Sequence, residues 1–98
     1  MAVTLINVFS VPHEHEAAFV TWWNEVRAHI THEPGFISGK FHKSIKADSR
    51  FNYINVALWE NEAIYWKAYE KTVTPMKAAL RQLNVDMTPA LYDVAFEY

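Results

Sequence analysis

A chain of 98 residues is the size of one domain, and with 51% of its residues apolar, including four Trp, it carries enough hydrophobic material for a core. A formal net charge of −2, with the nine Lys and Arg scattered, excludes the basic stripe of a nucleic-acid binder. The absence of Cys excludes a disulfide framework, a thiol nucleophile and a thiolate metal site. No apolar run approaches the roughly 18 residues of a membrane span. MAVTLINVFSVPHEHE has neither the basic start nor the cleavage site of a signal peptide. The expectation is a soluble, cytoplasmic, single-domain protein over residues 1–98.

Val3 to Val11 (VTLINVFSV) is rich in β-branched residues and predicts strand 1, ended by Pro12. His13 to about Thr31 predicts helix 1, where Phe19, Trp23, Val26 and Ile30 form one stripe with Trp22 on its border. Pro34-Gly35 predicts a turn, Phe36 to Ser44 or Ile45 strand 2, and Lys46 to Arg50 a polar loop. Phe51 to Glu60 (FNYINVALWE) alternates and predicts strand 3. Asn61 is placed to cap helix 2, which runs to about Lys71. Thr74 as N-cap and Pro75 at the first position restart a helical segment that ends near Leu83. Asn84 to Thr88 reads as a loop, and strand 4 falls within Pro89 to Tyr98, centred on Leu91 to Phe96.

The order β-α-β-β-α-β is the α+β, ferredoxin-like pattern. It predicts an antiparallel sheet with both helices on one face and strands 1 and 3 side by side at the centre, those two parallel. Both faces of these strands are apolar: Leu5 and Phe9 on one, Ile6, Val8, Ile54, Val56 and Leu58 in the alternate register. Two helices bury one face only. The expected cover for the other is a second copy of the chain in a two-fold homodimer.

Asn7 and Asn55 interrupt the apolar runs in the middle of these two strands. A buried amide must find partners or cost stability. If the odd positions share a face, the two amides and the Trp59 indole look into one space, under helices carrying Phe19, Trp22, Trp23, Tyr65, Trp66 and Tyr69. An apolar cavity with a few convergent polar groups describes a small-molecule site. Taken singly, a buried Asn is more often a satisfied structural amide, and aromatic residues at helical spacing are more often packing. No metal site is expected from the histidines: in VPHEHEAAF, Ala17 stands where an H-E-x-x-H motif needs its second His, and His29, His32 and Glu33, which could present ligands from one helix end, also read as a solvated helix C-terminus. No Ser-His-Asp arrangement or phosphate-cradling loop is visible, Gly35 and Gly39 being the only glycines.

INVFSV at Ile6 to Val11, EPGF at Glu33 to Phe36, YINVALWE at Tyr53 to Glu60 running directly into a helix, Thr74-Pro75-Met76, and PALYDV at Pro89 to Val94 resemble the antibiotic biosynthesis monooxygenase domain family of dimeric α+β barrels. The resemblance implies a homodimer that oxidises an aromatic small molecule (an anthrone, phenol or hydroquinone) to a quinone with O2 and without a cofactor. In anthrone-oxidising members, an Asn and a Trp four residues later on the third strand line the pocket, and Asn55 and Trp59 match that spacing. The resemblance makes them donors to a developing oxyanion, with Asn7 as a third. His42, Tyr69 and Tyr92 are the candidate bases, His42 the best placed by its ordinary pKa. Phe19, Trp23, Tyr65, Trp66, Tyr69 and Tyr92 are the expected substrate-binding walls.

Two alternatives stand beside this reading. One is a dimer of the same fold that binds a small ligand without catalysis. The other is haem binding or degradation, which Asn7 and Trp59 fit but which lacks its axial His: Met76-Lys77-Ala78-Ala79-Leu80 contains none.

Overall fold

The computed structural model describes residues 1–98. Four strands alternate with helical segments: β1 (Val3–Ser10), α1 (Glu16–Ile30), β2 (Phe36–Lys43), β3 (Tyr53–Trp59), α2 (Glu62–Thr72), α3 (Lys77–Gln82) and β4 (Asp86–Tyr92). Single 3-10 turns at His13–His15 and Thr74–Met76 lead into α1 and α3. The β-branched residues of β1 and the strict alternation of β3 produce the expected central strands. No helix is long and apolar enough to cross a membrane.

The sheet order is β2-β3-β1-β4, and every pairing is antiparallel. This corrects the parallel orientation expected for strands 1 and 3. The crossover through α1 returns β2 parallel to β1, and the β2–β3 hairpin then reverses the chain. β3 therefore enters between β1 and β2 antiparallel to both.

Both helical layers cover the face formed by the odd positions of β1 and β3. Leu5, Phe9, Tyr53, Ala57 and Trp59 pack there with Phe19, Val26, Tyr65 and Leu80 in one core. Along α1 the buried stripe is Phe19, Trp22, Val26 and Ile30, so Trp22 lies inside and Trp23 takes the border. The Trp22 indole donates to the Met76 carbonyl at 2.8 Å, tying α1 to the turn before α3.

Asn61 caps α2 as expected, its side chain accepting from the Ile64 N–H at 2.9 Å. Thr74 does not cap: it lies within the 3-10 turn and its side chain makes no capping bond. Gly35 turns the chain at φ +89°, and a Cβ there would run into Ile64.

Strand 4 starts earlier than expected, at Asp86, and ends at Tyr92. Pro89 sits inside it opposite Asn7, which an edge strand tolerates because an N–H facing outward has no ladder partner to lose. Beyond it, Val94, Phe96 and Tyr98 are exposed. On the face away from the helices, Ile6, Val8, Ile54, Val56 and Leu58 are only half-buried.

Candidate functional site

The two central strands bring the two asparagines together. Asn7 and Asn55 are register partners across β1 and β3, flanked by Pro89 on β4 and Phe41 on β2. They are 6% and 8% exposed, at the middle of the helix-covered face. Val3, at the start of β1, pairs with Trp59 at the end of β3, so Asn55 and Trp59 lie on one face of one strand.

A cavity of about 360 Å³ opens between α1 and this face. Asn7, Asn55 and Trp59 all border it, with Trp23, Phe41 and Tyr65 among its aromatic walls. Trp23 and Phe41 stack at 4.3 Å between ring centroids and 15° between planes. The Trp59 ring meets Tyr65 and Phe36 edge-on. The space exists because the floor carries small residues. Gly39 and Ala57 are opposite one another across β2 and β3, and a Cβ on Gly39 would stand 3.2 Å from the Ala57 Cβ.

Two polar atoms in this region are buried without a hydrogen-bond partner: Asn7 Oδ1 and Trp59 Nε1. Leaving such groups unpaired costs about 1–3 kcal/mol each. A third buried asparagine behaves differently. Asn52 accepts from the Val11 N–H at 2.9 Å and donates to the Val11 carbonyl at 2.8 Å, so it is a structural clamp between β1 and the β2–β3 connection. Burial pushes the Tyr65 hydroxyl well above the ordinary phenol range, so it stays protonated at neutral pH.

Not every expected site residue reaches the cavity. His42 pairs with Ile54 and is exposed on the opposite face of the sheet, its Nδ1 3.3 Å from the Ile54 carbonyl. Tyr92 pairs with Thr4 on that same far face and is 50% exposed. Phe19 is fully buried in the core behind the wall, against Phe9, Trp22, Phe41 and Tyr53. Trp66 and Tyr69 pack on Tyr65 without bordering the cavity. Residues not anticipated from the sequence include Gly39 and Ala57 in the floor, and Asn24, Arg27 and Thr31 along α1. The last three follow Val20 at helical spacing and mark the edge of the buried stripe.

This arrangement can hold a small, largely apolar molecule against the side chains of Asn7, Asn55 and Trp59. The family model for antibiotic biosynthesis monooxygenase matches residues 2–82. A candidate monooxygenase from Shewanella loihica PV-4 is 35% identical, with a TM-score of 0.83 over 98% of this chain and 96% of that one. SnoaB, a cofactor-independent oxygenase from Streptomyces nogalater, is 25% identical, with a TM-score of 0.77 over 98% and 95%. A protein from Methanosarcina mazei Go1, at 13% identity and a TM-score of 0.79 over 94% and 91%, shares the fold. A comparison with curated proteins gives no match. With its α+β ferredoxin-like fold and the family model spanning most of its length, the chain belongs to the antibiotic biosynthesis monooxygenase family.

Proposed function

We propose that the protein is a cofactor-independent monooxygenase that oxidises an anthrone- or hydroquinone-type aromatic with O2. The observation that carries this reading is the pair of unpartnered polar atoms, Asn7 Oδ1 and Trp59 Nε1, on residues that border a largely apolar cavity beside Asn55. The likeness to SnoaB supports it.

For an anthrone, loss of a proton from the ring CH2 gives an enolate. The enolate passes one electron to O2, and the radical and superoxide combine and take up a proton as a hydroperoxide. Loss of water leaves the quinone carbonyl. One oxygen atom enters the product and the other leaves as water.

The chain's part is to stabilise the enolate oxygen. Trp59 Nε1 and the Asn55 amide donate to it, and Asn7 accepts from a neighbouring phenol hydroxyl. Preorganised donors in a site with little water act most strongly on charge that develops during reaction. None of the expected bases His42, Tyr69 and Tyr92 borders the cavity, so proton loss is assigned to the acidity of the substrate itself, raised by these donors.

The partner is a second copy of the chain. The half-buried strip of Ile6, Val8, Ile54, Val56 and Leu58, with exposed Val94, Phe96 and Tyr98 beyond β4, supports a self-complementary contact on the sheet face opposite the cavity.

The test is oxygen uptake with dithranol, an anthrone, under 18O2. A rate above buffer with one labelled atom per quinone supports the proposal. No rate above buffer over a panel of anthrones and hydroquinones would leave a ligand-binding dimer as the better reading.

A further inference from the structure

One edge of the cavity is charged, and the enolate chemistry does not use that charge. Val20, Asn24, Arg27 and Thr31 recur along α1 on the side facing the opening between α1 and β2. The Arg27 guanidinium is held at one point, its Nη2 donating to Asn24 Oδ1 at 2.9 Å.

The guanidinium has five N–H donors, and the Asn24 bond occupies one. It has no carboxylate partner: the ion pairs of the chain join His13 and Lys43 to Glu16, and Lys71 to Glu33. No Asp or Glu borders the cavity. Lys40 does, but it pairs with Val56, so its side chain leaves the strand on the far face of the sheet. The cavity is thus largely apolar, and at its mouth Arg27 is a cation with no carboxylate partner.

We propose that the site selects aromatic ligands bearing a carboxylate, and that Arg27 is the specificity-determining residue that receives it. The planar fork of the guanidinium matches a carboxylate in two parallel hydrogen bonds. The ring system then lies beside the stacked Trp23 and Phe41 rings, with its oxygens toward Asn7, Asn55 and Trp59. Asn24 positions the guanidinium and does not touch the ligand. The inference rests on the proposed pocket but not on turnover, because it is read from binding.

Rhein and chrysophanol form a matched probe pair, being the same dihydroxyanthraquinone with a carboxylate or a methyl at one position. Their affinities are measured by calorimetry at neutral pH for wild type, Arg27→Gln and Arg27→Lys. Wild type is expected to favour rhein about threefold to tenfold, the range of a charge-assisted pair in partly exposed surroundings. The preference should shrink in about 0.5 M salt, vanish in Arg27→Gln and partly return in Arg27→Lys. Chrysophanol affinity should be the same in all three.

Equal affinities in wild type would overturn the assignment, as would a rhein preference that survives Arg27→Gln, or an equal loss for both ligands in that variant. If neither ligand binds, the assignment falls with the pocket itself. Anthrone turnover without carboxylate preference would leave the oxygenase standing and remove this inference; carboxylate preference without turnover would do the reverse.

Discussion

Asn7 and Asn55 face each other as register partners across β1 and β3, and both border the same cavity. One end of that face holds an indole N–H with no partner, from Trp59, and the centre holds an amide oxygen with none, from Asn7. Packing alone has no use for such groups, since an apolar residue of similar shape would serve the core better.

That cost gives opposite signs at two buried asparagines. Asn7→Val removes an unpaired acceptor and places a β-branched residue in a central strand, so it should be neutral or stabilise by about 1 kcal/mol. Asn52→Ala removes both bonds to the Val11 backbone and should destabilise by roughly 2–3 kcal/mol. Urea unfolding midpoints separate the two. A loss at Asn7 as large as at Asn52 would make Asn7 a structural amide.

The acid limb of stability should depend on Glu16. A hydrogen bond from His13 and another from Tyr53, with Lys43 nearby, holds its carboxyl down at about 2. The folded pKa lies below the unfolded one, so the stabilisation is fully present above the ordinary carboxylate range. It is lost as pH falls from that range through about 2. The Tyr53 hydroxyl, pushed up to about 12 by burial and by Glu16, adds an alkaline counterpart, lost as pH rises from the ordinary phenol range through about 12. Thermal melts of wild type and Glu16→Gln across pH check this: the acid-side slope should flatten in the variant, and an unchanged slope would remove Glu16 from the account.

His42→Ala should leave turnover of an anthrone within about twofold of wild type, the range of a surface change remote from the reacting atoms. The pH–rate profile should follow the ionisation of the substrate and show no limb near the ordinary His pKa. A hundredfold loss in His42→Ala would restore a base role that its place on the far face argues against.

The misplacement of His42 has a local cause. Phe36 borders the cavity and pairs with Trp59, and counting by twos along a regular strand from Phe36 brings His42 to the same face. A bulge between Phe36 and Ser38 inserts one residue, so Gly39 and Phe41 face the cavity and His42 turns away. Alternation cannot reveal such an insertion. On β1 and β3 the register has no shift, which is why Asn7, Asn55 and Trp59 were legible as one group from the pattern of apolar neighbours.

Other differences have similarly local origins. Trp22 and Trp23 are adjacent on a helix, about 100° apart, and a wide apolar stripe does not say which one is inside. The apolar tail after β4 reads as strand, but Tyr92 already pairs with Thr4, and only Val3 of β1 lies beyond that pair. The cavity floor was not legible because small residues leave no periodic signal, and Gly39 acts through the side chain it lacks.

Val56→Arg places a charge in the middle of the strip proposed to meet a second copy. Light scattering should change from a dimer mass to a monomer mass, since an unpaired buried charge at a self-complementary contact appears twice. A wild-type protein that is already monomeric at micromolar concentration would contradict the proposed assembly.

The most direct measurement of the central claim is the dithranol oxidation rate above buffer in wild type, Asn55→Ala and Trp59→Phe, with dithranol binding measured alongside. Loss of a donor to the enolate should lower kcat by on the order of a hundredfold in each variant while affinity changes little. Rates equal to wild type in both variants would contradict the assignment of Asn55 and Trp59 as the groups that stabilise the oxyanion.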